Sequence, residues 1–194
     1  MIKTTAMLFD ELEEYRSPAN KISRMVDNGN LIPIVRGLYE TNKNVSGYLL
    51  ASSIYGPSYL SFDFALSYHH LIPEAVYTFT SATFLKKKKK QFQTPFGVYT
   101  YQDVPQSAYP VGILIKNEGN YSYLIAEPEK ALCDKLYSVP PVVSQKELRD
   151  LLFDDLRLDP TEFGNLNKQK LVSYCGLYHA TNLKIFIKLL RRMA

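Results

Sequence analysis

Four short runs of β-branched and aromatic residues, at 76–80, 96–101, 112–116 and 121–126, follow one another with turn residues between them, and a solidly helical pattern begins directly after the last. Strands in succession followed by helices in succession point to an α+β fold rather than to alternating βαβ units. The segment Asn117-Glu118-Gly119-Asn120 between the last two runs reads as a hairpin turn, so the sheet is expected to be mainly antiparallel. Pro128 opens the next helix, which carries Ala131, Leu132, Leu136 and Tyr137, and Pro140-Pro141 closes it. Ser144 followed three residues later by Glu147 forms a capping box ahead of Leu148, Leu151, Leu152 and Leu156. Further helices fit 167–175 and 181–193.

The first forty residues have a different rhythm. Leu8, Leu12 and Tyr15 make a narrow apolar stripe on a helix that starts at Thr5. Ser17-Pro18 then starts a second helix, with Ser17 suited to the cap and Pro18 to the first turn. Its buried face is Ile22, Met25 and Val26, and Gly29 stops it. Two extended runs follow at 31–35 and 38–39, with Arg36-Gly37 at the turn between them, and Pro33 confines the first run to an edge. A polar connector at 42–46 separates this unit from the rest. The expected division is a helix-then-wing module over 1–43 and an α+β body over 44–194. Within the body, helices are expected at 47–55 and after Ser61, which reads as a cap for Phe62, Ala65, Leu66 and His69.

Charge narrows the function classes. The net charge is +4, unevenly distributed. Residues 16–36 hold Arg16, Lys21, Arg24 and Arg36 against Asp27 alone, and residues 164–194 hold six basic side chains and no acid. Such asymmetry suits nucleic acid, although charge runs also serve simply as solvated faces. On the second helix, Ser17, Asn20, Lys21, Arg24 and Asn28 lie opposite the apolar face. With Arg36 at the wing tip, they form a candidate DNA-binding set that can address base edges and phosphates together. The plain alternative is an amphipathic helix and hairpin that only pack on the body. Lys86, Lys87, Lys88, Lys89 and Lys90 are candidates for phosphate contact, and equally for a solvated loop that discourages edge pairing.

Enzyme signatures are missing from the sequence. There is no Gly-rich phosphate loop, no G-x-S-x-G, no paired C-x-x-C and no H-E-x-x-H. His69 and His70 are adjacent, so on a helix they diverge by about 100° and cannot chelate one ion together. Glu127, Glu129 and Asp134 with Lys130 and Lys135 suggest a metal-dependent carboxylate and lysine nuclease site. The simpler account is acids complementing a helix N-terminus, with surface charge further along. No catalytic residue, metal or cofactor is therefore expected. Cys133 and Cys175 are read as core thiols, because two cysteines in apolar helical patterns make no secreted disulfide framework. No stretch approaches the roughly twenty apolar residues of a membrane span, and Asp10, Glu11, Glu13 and Glu14 stand where a signal peptide needs an apolar run. A cytoplasmic protein without membrane contact is expected.

Several stretches in order resemble the AbiEi family of bacterial abortive-infection antitoxins and related transcriptional regulators. They are residues 28–31 running on to Arg36-Gly37-Leu38-Tyr39, residues 58–62 with 65–69 and 71–74, Thr94-Pro95-Phe96-Gly97 with Tyr99 and Tyr101, and residues 126–137. The resemblance covers roughly residues 15–140. It implies a winged-helix N-terminus that binds inverted repeats in its own promoter, and a body with antitoxin activity against a co-encoded nucleotidyltransferase-like toxin; a homodimer is expected because winged-helix readers of inverted repeats usually pair. One departure stands out. Members that bind DNA show three helices before the wing, whereas only two fit between Thr4 and Gly29. The competing reading is a neutralising or protein-interaction module whose head is vestigial.

Overall fold

In the computed structural model, which describes residues 1–192, the chain is α+β. The head begins with a strand too short to show in the sequence, β1 (Ile2–Thr4). Helix α1 (Thr5–Glu11) follows, and its cap is the Thr4 hydroxyl, which accepts from the Met7 N–H at 3.2 Å. α1 ends before Tyr15, so the expected apolar stripe is cut short: Leu8 is buried, but Tyr15 is 49% exposed. Helix α2 (Pro18–Asp27) starts as Pro18 demands, yet Ser17 makes no side-chain capping bond. Strands β2 (Ile32–Val35) and β3 (Leu38–Glu40) form the expected hairpin. β1 pairs antiparallel with β3, giving the order β1-β3-β2 and leaving Pro33 on an edge strand.

A small core of Leu8, Ile22 and Leu31, with Leu12, Met25, Val26 and Tyr39 against it, holds the two helices to this sheet. Ile34 and Leu38, by contrast, belong to the main core. Head and body are further joined by Glu40, which is buried and accepts the Tyr121 hydroxyl at 2.9 Å together with the Thr41 and Asn42 N–H groups.

The body opens with a 3₁₀ turn (Gly47–Leu50) and the short α3 (Ala51–Ile54). β4 (Tyr59–Leu60), α4 (Phe62–Tyr68), β5 (Thr78–Thr83), β6 (Lys90–Thr94), β7 (Gly97–Asp103), β8 (Ile113–Glu118) and β9 (Tyr121–Ala126) follow. They build a six-stranded sheet in the order β6-β7-β5-β4-β9-β8. Its pairings are mixed rather than mainly antiparallel: β6–β7, β4–β5 and β8–β9 are antiparallel, while β5–β7 and β4–β9 are parallel. The central β4 is only two residues long, yet it carries one pairing of each kind.

Helix α5 (Pro128–Ser138) lies over β4, and its other side is covered by the helical C-terminal region. That region is α6 (Gln145–Asp150), a π turn (Leu151–Asp155), α7 (Pro160–Asn165), α8 (Lys168–Cys175) and α9 (Thr181–Arg192). Ser144 caps α6 as expected, accepting from the Glu147 N–H at 3.1 Å. α9 agrees with the expected 181–193, of which Met193 lies outside the described residues. Both cysteines are buried core thiols, with sulfurs 3.6 Å apart and unbonded. None of the described helices is long and apolar enough to cross a membrane.

Candidate nucleic-acid interface

Helix α2 turns one face inward through Ile22, Met25 and Val26 and presents the other to solvent. Ser17, Asn20, Arg24 and Asn28 are exposed along that outer face, with Lys21 partly covered because its ammonium rests 5.0 Å from the centre of the Tyr15 ring. Steps of three and four residues keep these positions on one side of the helix. The helix ends where Gly29 takes φ +71°, and the Asn30 and Leu31 N–H groups return to the Met25 carbonyl. Arg36 is exposed at the hairpin turn. Gly37 beside it has φ +81°, a left-handed conformation that glycine takes at little cost, and its carbonyl accepts the Thr5 N–H at 3.0 Å. The wing is thereby tied to the start of α1. Five of the six expected side chains share one helical face, and the sixth stands on the turn of the same small unit.

The five lysines do not behave as one patch. Lys86 is engaged: its ammonium donates to the Gly56 carbonyl at 3.0 Å and sits 5.1 Å from the Tyr55 ring centre. Lys87 has φ +60° and is anchored through its backbone, whose N–H donates to Asp103 at 2.7 Å. Lys88 and Lys89 complete the loop, and Lys90 begins β6, a strand that the lysine run concealed in the sequence.

The carboxylates of the suggested nuclease site are not gathered into one cluster. Glu127 accepts from Lys170 at 2.8 Å and from the Tyr174 hydroxyl at 2.9 Å. Burial is the largest single influence and would raise its pKa, but those two hydrogen bonds together with the positive charge of Lys170 bring the net shift downward. Glu129 accepts the Asn167 N–H. Among the described residues, no group of acidic, histidine or cysteine side chains is placed to hold a metal ion.

The expectation of ordinary surface charge along α5 is overturned at two positions. Asp134 and Lys130 are 0% and 1% exposed, and they form an ion pair at 2.7 Å. Asp134 also accepts from Tyr59 (2.9 Å), Ser61 (2.6 Å) and Tyr178 (2.6 Å), so its carboxylate is surrounded by donors. Ser61 therefore spends its hydroxyl here and not on capping α4, as the sequence suggested. Burial pushes the Tyr59 and Tyr178 hydroxyls up and the Lys130 ammonium down. No clear sign of this network is present in the sequence: α5 sets Glu129, Lys130, Asp134 and Lys135 among Ala131, Leu132, Cys133 and Leu136, and it is the packing of the strands and C-terminal helices around it that buries Lys130 and Asp134. His69 is also structural: half-buried, it donates through Nε2 to the Ala126 carbonyl at 2.7 Å, and burial lowers its pKa.

No model of a known protein family matches this chain, and no curated protein matches it in sequence.

Proposed function

We propose that this protein is an antitoxin and autoregulatory DNA-binding repressor of a type IV toxin–antitoxin (abortive infection) operon. The observation that carries this reading is the outer face of α2. It sets Ser17, Asn20, Arg24 and Asn28, with Lys21 beside them, on a helix whose other face is buried, and Arg36 stands on the adjoining hairpin turn. In a winged helix, a recognition helix of this kind enters the major groove while the wing reaches the neighbouring backbone or minor groove. The head's β1-β3-β2 order supports the same reading, because a strand ahead of the two helices closes the sheet on which a wing is built. Two helices precede the wing, and α1 packs on α2 through Leu8 and Ile22, in the place of a bracing helix.

In this account the partner is double-stranded DNA carrying inverted repeats in the protein's own promoter, bound by a homodimer. The body, residues 44–194, counteracts a nucleotidyltransferase-like toxin, as the resemblance over residues 58–137 implies. The protein acts in the cytoplasm, without catalysis of its own. A mobility-shift titration on the upstream region of its own gene tests the reading, with Arg24→Ala and Arg36→Ala alongside. Each substitution is expected to weaken binding about tenfold, the scale of one base-edge or groove contact. No shift by the unaltered protein at low salt defeats it.

A further inference from the structure

The two faces of the large sheet are finished differently. On one, Tyr99 and Tyr101 of β7 donate to the carbonyls of Gly47 and Ala51 at 2.8 and 2.7 Å, and Phe92 of β6 packs on Tyr55 and Tyr101. This is the face against the 3₁₀ turn and α3. Strand side chains alternate, so Gln91, Thr100 and Gln102 project from the opposite face, and register pairs Gln91 with Thr100. There α5 covers β4, through the bond from Tyr59 to Asp134, but stops short of β5, β7 and β6.

The uncovered flank is a cleft of about 520 Å³, walled on its far side by Asp63 of α4 and by Lys135 and Ser138 of α5. A second hollow of about 410 Å³ shares Lys89, Gln102 and Ser138 with it and continues past the Tyr137 ring, which is 38% exposed. Volumes in this range are typical of small-molecule sites, roughly 300–1,000 Å³.

The charges along this cleft are unbalanced. Asp63 is already paired with Lys135, and Asp103 already accepts from the Thr83 hydroxyl and the Lys87 N–H. Lys87, Lys88 and Lys89, which line the second hollow, have no ion-pair partner among the described residues. Ammonium groups concentrated over a concave surface focus a positive field into it. They are gathered in three consecutive residues rather than spaced along the cleft, which suits one compact polyphosphate better than the evenly spaced phosphates of a strand. The amides of Gln91 and Gln102 and the Thr100 hydroxyl each offer both a donor and an acceptor, as the edge of a heterocyclic base requires.

We infer that this cleft and the hollow that continues it bind a nucleotide, with Lys87, Lys88 and Lys89 on its phosphates and Gln91, Thr100 and Gln102 on its base. The site is separate from the DNA-reading face. Tyr121, which holds Glu40 of the head, lies two residues from Tyr123, and Tyr123 packs on Tyr48 of the 3₁₀ turn. The head therefore sits on the opposite face of the sheet, and the inference stands whether or not the head binds DNA.

The test is a fluorescence titration of the full chain with methylanthraniloyl-labelled ATP and, separately, labelled GTP. At least one is expected to bind saturably and to be displaced by its unlabelled form better than by tripolyphosphate. The exposed substitutions Lys88→Gln and Lys89→Gln together should weaken binding at least about tenfold, and Gln102→Leu should weaken it severalfold, whereas Lys184→Gln should not. Unchanged thermal unfolding would show that the variants are folded. Absence of saturable binding by both labels at low salt overturns the inference. So does equal displacement by tripolyphosphate with no effect of Gln102→Leu, which would mean bulk charge alone. Tighter displacement by a short oligothymidylate would also overturn it, in favour of a strand-binding groove.

Discussion

Removing the Asp134 carboxylate is the most severe single change that the body offers. In Asp134→Ala the Lys130 ammonium stays buried without its counter-charge, and breaking a buried pair in this way costs about 3–5 kcal/mol. The Tyr59 and Ser61 hydroxyls lose the acceptor they reach in the folded protein, at about 1–3 kcal/mol each. Tyr178 loses its acceptor as well, because the Lys130 ammonium can only donate to its hydroxyl oxygen. The total, about 5 kcal/mol or more, rivals the whole stability of a typical domain, about 5–15 kcal/mol. Urea unfolding followed by circular dichroism is expected to show a loss of that size, or no soluble folded protein. Lys130→Met with Asp134→Leu removes both charges, and it should be at least about 2 kcal/mol more stable than Asp134→Ala although more polar groups are gone. The sign with pH is also set. Burial already lowers the Lys130 pKa, so an unpartnered Lys130 sheds its proton more readily, and the deficit of Asp134→Ala should shrink as pH rises. If Asp134→Ala unfolds within about 1 kcal/mol of the unaltered protein, the pair behaves as a surface ion pair and the reasoning fails.

Glu127 has a folded pKa held below its ordinary value of 4.5, so its contribution is present at neutral pH and lost as pH falls below about 5. The Glu127→Gln protein should accordingly show a flatter loss of melting temperature on acidification than the unaltered one. Gly47→Ala should be strongly destabilising, by about 3 kcal/mol or more in chemical denaturation, because a Cβ there would stand 2.3 Å from the Phe96 carbonyl and the Phe79 ring. A melting temperature unchanged by that substitution would contradict the packing described. Cys133 and Cys175 should resist a thiol reagent in the native protein and react together on unfolding, since both are buried and burial raises the Cys133 pKa.

Much of the architecture was legible because it is written in local chemistry. Arg36-Gly37 turns the wing, Pro128 and Pro140 bracket α5, Ser144 caps α6, and Gly119-Asn120 joins β8 to β9. The mixed order of the sheet was not, because the parallel pairs β5–β7 and β4–β9 depend on contacts distant in sequence, and β4 has only two residues in which to signal itself. β6 was hidden by its own surface: Lys90, Gln91 and Gln93 are exposed, so the segment reads as loop although it pairs along its length with β7. α7 was overlooked despite a clear signal, since Asp159 accepts the N–H groups of Thr161 and Glu162 and Pro160 follows it in the first turn. The α2 face could be read from periodicity alone. The Lys130 and Asp134 pair could not be told from a surface pair by spacing, because i, i+4 charges look alike whether a helix is wet or dry. The structure also changes how the head should be tested. Ile34 and Leu38 lie in the main core, so deleting residues 1–43 would strip the body of part of its packing, and point substitutions on the exposed face are the cleaner instrument.

The most direct measurement is the mobility shift on the protein's own upstream DNA across a salt series, comparing the unaltered chain with Arg24→Ala and Arg36→Ala. Both side chains are exposed and make no contact in the folded core, so melting temperatures should be unchanged while binding weakens about tenfold for each. A shift that is absent at low salt, or one that neither substitution weakens, would contradict the assignment of the α2 face and the wing as the DNA-reading surface.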